Sequence, residues 1–171
     1  MFAGAFGGTP PAPLGSLVRV DGLGLTPGAP AIAASGDRVM AAWSDRASDA
    51  NPWSLRTASF RVGEDKARVQ TFTPPPGGLG EQAMSPDLTS LGDGRFFLVW
   101  TEGLSTHQVR AAALDDAGSA IDAFAVSPAG VDAGQGQAAT LPDGRGVIAF
   151  LSSTPRDTYE TVALPIKCEA K

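Results

Sequence analysis

This chain is poor in the residues that usually carry chemistry. Its 171 residues include one cysteine (Cys168), one histidine (His107) and one tyrosine. A single thiol closes no internal disulfide, so Cys168 is either incidental or bridges to something outside this sequence. His107 has no second histidine or cysteine at ligand spacing, which excludes an ordinary zinc site, and no cofactor or metal is expected. No apolar run reaches the eighteen residues of a membrane-spanning helix. Basic charge is also scarce. Lys and Arg number 13 against 18 Asp and Glu, a net charge of −5, which argues against nucleic acid or an anionic membrane as partner. Helix-period apolar spacing is missing, and Gly or Pro breaks each alanine-rich stretch. Without helices there is no phosphate-cradling Gly loop leading into one. No nucleophile-elbow motif singles out a serine.

What is present is a repeat, rich in 21 Gly and 14 Pro. An Asp-centred turn, an apolar strand and a bulky aromatic occur together three times. The copies are Ser35-Gly36-Asp37-Arg38-Val39-Met40-Ala41-Ala42-Trp43, then Leu91-Gly92-Asp93-Gly94-Arg95-Phe96-Phe97-Leu98-Val99-Trp100, then Leu141-Pro142-Asp143-Gly144-Arg145-Gly146-Val147-Ile148-Ala149-Phe150. Around each lie a short first strand (30–34, 86–90, 137–141) and an alternating third strand (55–60, 108–114, 158–164). A fourth strand follows in two copies (68–72, 121–126). The second strands are apolar on both faces, as a sheet packed between two others requires. Arg56, Arg110 and Glu160 mark the third strands as half-exposed. The first turn lacks the Gly after Asp and should differ in type. Four short antiparallel strands per repeat of roughly 50 residues describe a β-propeller blade. The fold class is therefore all-β and propeller-like, with about three blades, 30–72, 86–126 and 137–166.

Residues 1–15 read as a Gly/Pro-rich lead-in to the blades of 16–171, without the basic and apolar segments of a signal peptide. Residues 17–20 supply a spare strand that would complete the last blade. Three blades fall short of the usual closed ring. Two copies pairing into a six-bladed ring, a segment of a longer chain, or an open arc all satisfy the count.

The string Ala111-Ala112-Ala113-Leu114-Asp115-Asp116-Ala117-Gly118-Ser119-Ala120, followed by Phe124-Ala125-Val126-Ser127, Gln137 and the Leu141–Phe150 segment, resembles a bacterial repeat. In outline that repeat is an a-x-r-x-D-x-x-G strand pair, a V-N/S strand, a Gln or Pro, and l-x-D-G-G-F-V-V-x-W. It occurs in large secreted or surface proteins, including adhesin-like and toxin-associated chains and myxobacterial lipoproteins. The resemblance covers about 17–166 and is specific for the blade. It implies an extracellular, periplasmic or cell-surface location and no particular activity. Phe150 in place of Trp, and Arg95 and Arg145 in place of the second Gly, depart from it.

In a propeller, the loops joining second to third strands share a face with the loops between blades. That face would carry Asp45, Arg46, Asp49, Asn51, Trp53, Glu102, His107, Arg156 and Asp157. Trp53, outside the repeated aromatic position, suggests a sugar-stacking platform with a polar rim; alternatively it packs against its own strand. Trp43, Trp100 and Phe150 recur in register and belong between the blades. Asp37, Asp93 and Asp143 read as turn stabilisers, because calcium needs six or more converging oxygens. Asp45 and Glu102 hold equivalent positions and would be the carboxylate pair of a glycosidase, although Ser152 or Ser153 replaces them in the third copy. The leading expectation is a non-enzymatic binding or scaffold module that presents loops to a protein or glycan. A carbohydrate hydrolase and a purely structural spacer are the alternatives.

Overall fold

The computed structural model describes residues 2–3, 6–7, 12–13, 18–19, 26–141, 143–155 and 158–167. Every regular element among them is a strand. Two short pairs lie near the N-terminus: β1 (Phe2–Ala3) with β4 (Val18–Arg19), and β2 (Phe6–Gly7) with β3 (Ala12–Pro13). Three antiparallel sheets follow. The first contains β5 (Thr26–Pro27), β6 (Ala31–Ser35), β7 (Arg38–Arg46), β8 (Ser54–Arg61) and β9 (Arg68–Thr71). The second runs β10 (Ala83–Gly92), β11 (Arg95–Glu102), β12 (Gln108–Leu114), β13 (Ala120–Ala125) in spatial order. The third is β14 (Ala133–Thr140), β15 (Arg145–Ser153), β16 (Tyr159–Lys167).

Each sheet is one expected blade, and consecutive blades pack face to face, which makes the fold propeller-like. Alternation sends one side of each strand to each neighbour. Met40, Ala42 and Leu55 of the first blade meet Leu88, Phe96, Leu98 and Trp100 of the second in one buried cluster. Phe97, Val99, Val109 and Ala111 on the opposite side of the second blade meet Ile148 and Phe150 of the third. The repeated aromatics are buried as expected, with Trp43 1%, Trp100 0% and Phe150 4% exposed. Phe72, just past β9, sets its ring edge-on to Trp100 at 5.3 Å. The inner strands are tied by polar contacts: Ala138 N donates to Asp87 Oδ2 at 2.7 Å, and the Thr89 and Thr140 hydroxyls lie 2.8 Å apart.

The first strands begin earlier than the sequence suggested because each contains an interruption. In β10 the register slips between Met84 and Asp87, opposite Trp100; in β14 it slips between Gly134 and Gln137, opposite Phe150. Ser85 and Gln135 take positive φ there, 51° and 57°. In the first blade the same place, 28–30, separates β5 from β6 opposite Trp43 and Ser44. A bulge bends the inner strand and increases its twist, and here it recurs across from each blade's aromatic. Bulges also accept Pro, so Pro86 lies within β10.

The turns also behave as the composition implied. Gly92, Asp93 and Gly94 all have positive φ, whereas the first turn uses Gly36 alone. Asp143 accepts the Arg145 backbone N–H at 3.1 Å and its Nε at 2.8 Å. Asp37 accepts Arg61 Nη1 at 2.7 Å.

Val18 and Arg19, the described part of the segment 17–20, depart from expectation. They pair with Ala3 and Phe2 rather than with the last blade, whose sheet has three strands among the described residues. A pairing between near neighbours closes a far shorter loop than one to the far end of the chain. Cys168 lies outside the described residues.

Candidate functional site

Strand register defines equivalent positions on the loop face. Ser54 pairs with Asp45, Gln108 with Glu102, and Glu160 with Ser152. The residues just before these, Trp53, His107 and Tyr159, are therefore counterparts, one ring side chain per blade at the mouth of the third strand. The loops between blades are sewn to this face by repeated backbone bonds. Ala83 N donates to Trp53 O and Gly103 N to Gln82 O, both at 3.0 Å. One blade on, Ala133 N donates to His107 O at 3.0 Å and Ser153 N to Asp132 O at 2.8 Å.

Asp45 and Glu102, expected in surface loops, lie inside β7 and β11 at 2% and 1% exposure. Each faces an arginine that the register places opposite the repeated tryptophan, Arg56 across from Trp43 and Arg110 across from Trp100. Arg56 Nε donates to Asp45 Oδ2 at 2.9 Å. Arg110, at 2% exposure, stands 3.6 Å from Glu102 Oε1 and 5.6 Å over the Trp100 ring. Glu102 also accepts Trp100 Nε1 at 3.1 Å and Leu79 N at 2.6 Å, and Arg110 Nη1 donates to Pro75 O at 2.9 Å. This buried cluster anchors the loop from the first blade to the second. Arg110, expected to be half-exposed, is buried because that loop closes over it.

The third blade carries Phe150, Ser152 and Val162 at these positions. Indole, acid and guanidinium are lost together there, as expected of groups that depend on one another when buried. The third-strand arginines were the available sequence signal: Arg56 and Arg110 occur only in copies that also have an acid two residues after Trp.

Arg46, Asn51 and Trp53 do come together. The Arg46 guanidinium lies 4.5 Å over the Trp53 ring and pairs with Asp49 at 2.5 Å. One face of Trp53 is thus covered, and the half-buried indole does not offer the open stacking platform the sequence suggested. Asn51 is exposed, its Oδ1 accepting Ser48 Oγ at 2.7 Å. Beside them opens a cleft of about 470 Å³ whose lining includes Arg46, Asp49, Asn51, Glu81, Gln82 and Leu104. Leu104 is 62% exposed.

His107 belongs to a second cluster, between blades two and three. Its backbone N–H and ring Nδ1 reach Asp132 Oδ1 at 2.7 and 2.9 Å, and Tyr159 donates its hydroxyl to Asp132 Oδ2 at 2.8 Å. The His107 backbone bond, then the Tyr159 hydroxyl, hold the Asp132 carboxyl below its ordinary range. The same carboxylate pushes the Tyr159 phenol up. Sequence reasoning missed Asp132 and Tyr159, although Tyr159 is in register with Trp53 and His107. Arg156 and Asp157 lie outside the described residues. Among the described residues, no three His, Cys, Asp or Glu side chains are grouped to hold a metal ion.

No protein-family model and no curated protein matches this sequence. Solved structures similar to it include an endo-1,4-beta-xylanase from Bacteroides thetaiotaomicron, 13% identical with a TM-score of 0.48, over 91% of this chain and 62% of that one. This chain thus spans less than two thirds of the xylanase. A GH43 endo-arabinanase from Bacillus licheniformis is 11% identical with a TM-score of 0.36, over 84% of this chain and 74% of that one. A subtype N11 neuraminidase-like protein of A/flat-faced bat/Peru (H18N11) is 10% identical with a TM-score of 0.40, over 80% of this chain and 52% of that one.

Proposed function

We propose that this chain is a non-enzymatic binding module of a secreted or surface protein, and that its loop face takes a glycan in the cleft between the first two blades. One contrast carries this reading. The two carboxylates best placed by sequence for hydrolysis, Asp45 and Glu102, are buried against Arg56 and Arg110, whereas the neighbouring cleft is open. Its volume of about 470 Å³ falls in the range of small-ligand sites. Its lining mixes polar groups (Arg46, Asn51, Gln82 and the carboxylates of Asp49 and Glu81) with the apolar surface of Pro52 and Leu104, which suits a sugar's hydroxyls and its C–H face.

The test is isothermal calorimetry against a panel of neutral oligosaccharides, with reducing-end release followed in the same samples. Saturable binding without turnover, lost in Asn51→Ala and Leu104→Ser, supports the module. Turnover abolished by Asp49→Asn or Glu81→Gln would instead make it a hydrolase. No binding across the panel would leave a structural spacer.

A further inference from the structure

The two junctions between blades are built alike but tied differently. Gly103 N donates to Gln82 O as Ser153 N does to Asp132 O, which makes Gln82 the counterpart of Asp132. At the second junction the Asp132 carboxylate links the rings on either side, His107 and Tyr159. The first junction has an amide in that place, and among the described residues no bond from it reaches Trp53 or His107. The cleft opens at this untied junction, with Gln82 and Arg46 both in its lining.

Arg46 lies between the cleft and the Trp53 ring, and it is weakly held there. Its guanidinium stands 4.5 Å over the indole. Its ion partner Asp49 has a side chain 91% exposed, and a pair so open to water contributes little. The contact of Arg46 Nη1 with the Asp49 carbonyl is long, at 3.5 Å. Arg46 Nε is buried with no acceptor among the described residues, so the covering position costs a charged donor its hydration.

We infer that Arg46 is a displaceable cover: a sugar ring entering the cleft takes its place on the Trp53 face, and the guanidinium swings out to water. This rests on the glycan reading above and narrows it. An indole face packs against C–H bonds. The favoured residue is therefore a pyranose whose hydroxyls are all equatorial, with C–H bonds on both faces, as in a β-linked glucan. An axial hydroxyl would be pressed onto the ring without a hydrogen-bond partner. A cover lowers apparent affinity by the fraction of molecules that are open. With an open state populated at about 10% or less, removing the guanidinium tightens binding about tenfold or more.

The experiment is tryptophan fluorescence with cellotetraose as the probe. Trp43 and Trp100 are buried, so of the three tryptophans acrylamide quenching reports on Trp53. Cellotetraose should protect Trp53 from acrylamide in the wild type. Arg46→Ala should quench more strongly without sugar and bind cellotetraose about tenfold more tightly; Trp53→Leu should lose most of the binding. Should Trp53→Leu fail to fold, the wild-type quenching and the Arg46→Ala affinity decide the matter. Unchanged quenching on binding, or an Arg46→Ala that binds no more tightly, overturns the inference and leaves the binding module standing. So does binding of another neutral oligosaccharide in place of cellotetraose. No binding of any sugar by either protein overturns both.

Discussion

Replacing Arg110 by Val gives the second blade a residue the third blade already has, at Val162, and the consequence depends on what accompanies it. On its own, Arg110→Val leaves Glu102 buried at 1% exposure without its cation. Breaking a buried ion pair from one side costs about 3–5 kcal/mol. Glu102→Ser alone strands the Arg110 guanidinium and removes the acceptor of both Trp100 Nε1 and Leu79 N, for a similar loss of about 3–5 kcal/mol. Were the two independent, the double variant would lose about 6–10 kcal/mol, most of a domain's stability. Together they remove both charges. What remains is two donors without acceptors, about 1–3 kcal/mol each, so the double variant should lose only about 4 kcal/mol. The coupling is then about 2–6 kcal/mol, at or above the upper end for residues in one network. Adding Trp100→Phe reproduces the third blade's Phe-Ser-Val set and removes one orphaned donor. Urea denaturation followed by far-UV circular dichroism measures all four variants. Single losses that simply add to within about 0.5 kcal/mol would refute the claim that the acid and the arginine are one unit.

Gly78 sits in the loop that this unit anchors, and a Cβ there would run into the Glu102 carboxylate and the Arg110 guanidinium. Gly78→Ala should therefore destabilise by about 1–3 kcal/mol through overpacking, whereas Gly77→Ala meets no atom within 4 Å and bears only the strain of its positive φ. Equal melting curves for Gly78→Ala and wild type would contradict this packing. The Asp132 carboxyl is held below its ordinary range, so its contribution to stability is complete above the unfolded pKa of about 3.9 and disappears as pH falls through the lower folded value. Wild type should lose melting temperature more steeply than Asp132→Asn below about pH 4, and parallel acid branches would count against the His107–Asp132–Tyr159 contact. Tyr159 runs the other way. Its raised phenol contributes fully below the unfolded pKa of about 10 and is lost as pH climbs past the folded value, so Tyr159→Phe should flatten the alkaline branch.

By itself the sequence determined that the chain is built from three blades and where each blade's turns and buried aromatic fall. These are local properties. A hairpin turn needs Asp and Gly at set places, and a strand between two sheets must be apolar on both sides whatever its neighbours are. Trp43, Trp100 and Phe150 could thus be placed in the core from spacing alone. The start of each first strand was not legible, because positive φ at Ser85 and Gln135 and the Pro at 86 look like loop until the aromatic across the sheet gives the bulge its purpose. The character of the acids was not legible either. Asp45 and Glu102 followed an apolar strand and resembled surface loop residues, and only the pairing of β7 with β8 and of β11 with β12 set an arginine against each. The loop 73–82 then folded over the second pair. The tertiary structure likewise turned the Trp53 ring under Arg46 and brought Asp132 between His107 and Tyr159 from a separate loop. Burial and charge pairing depend on which strands become neighbours. That is a relation between distant parts of the chain, and no single repeat contains it.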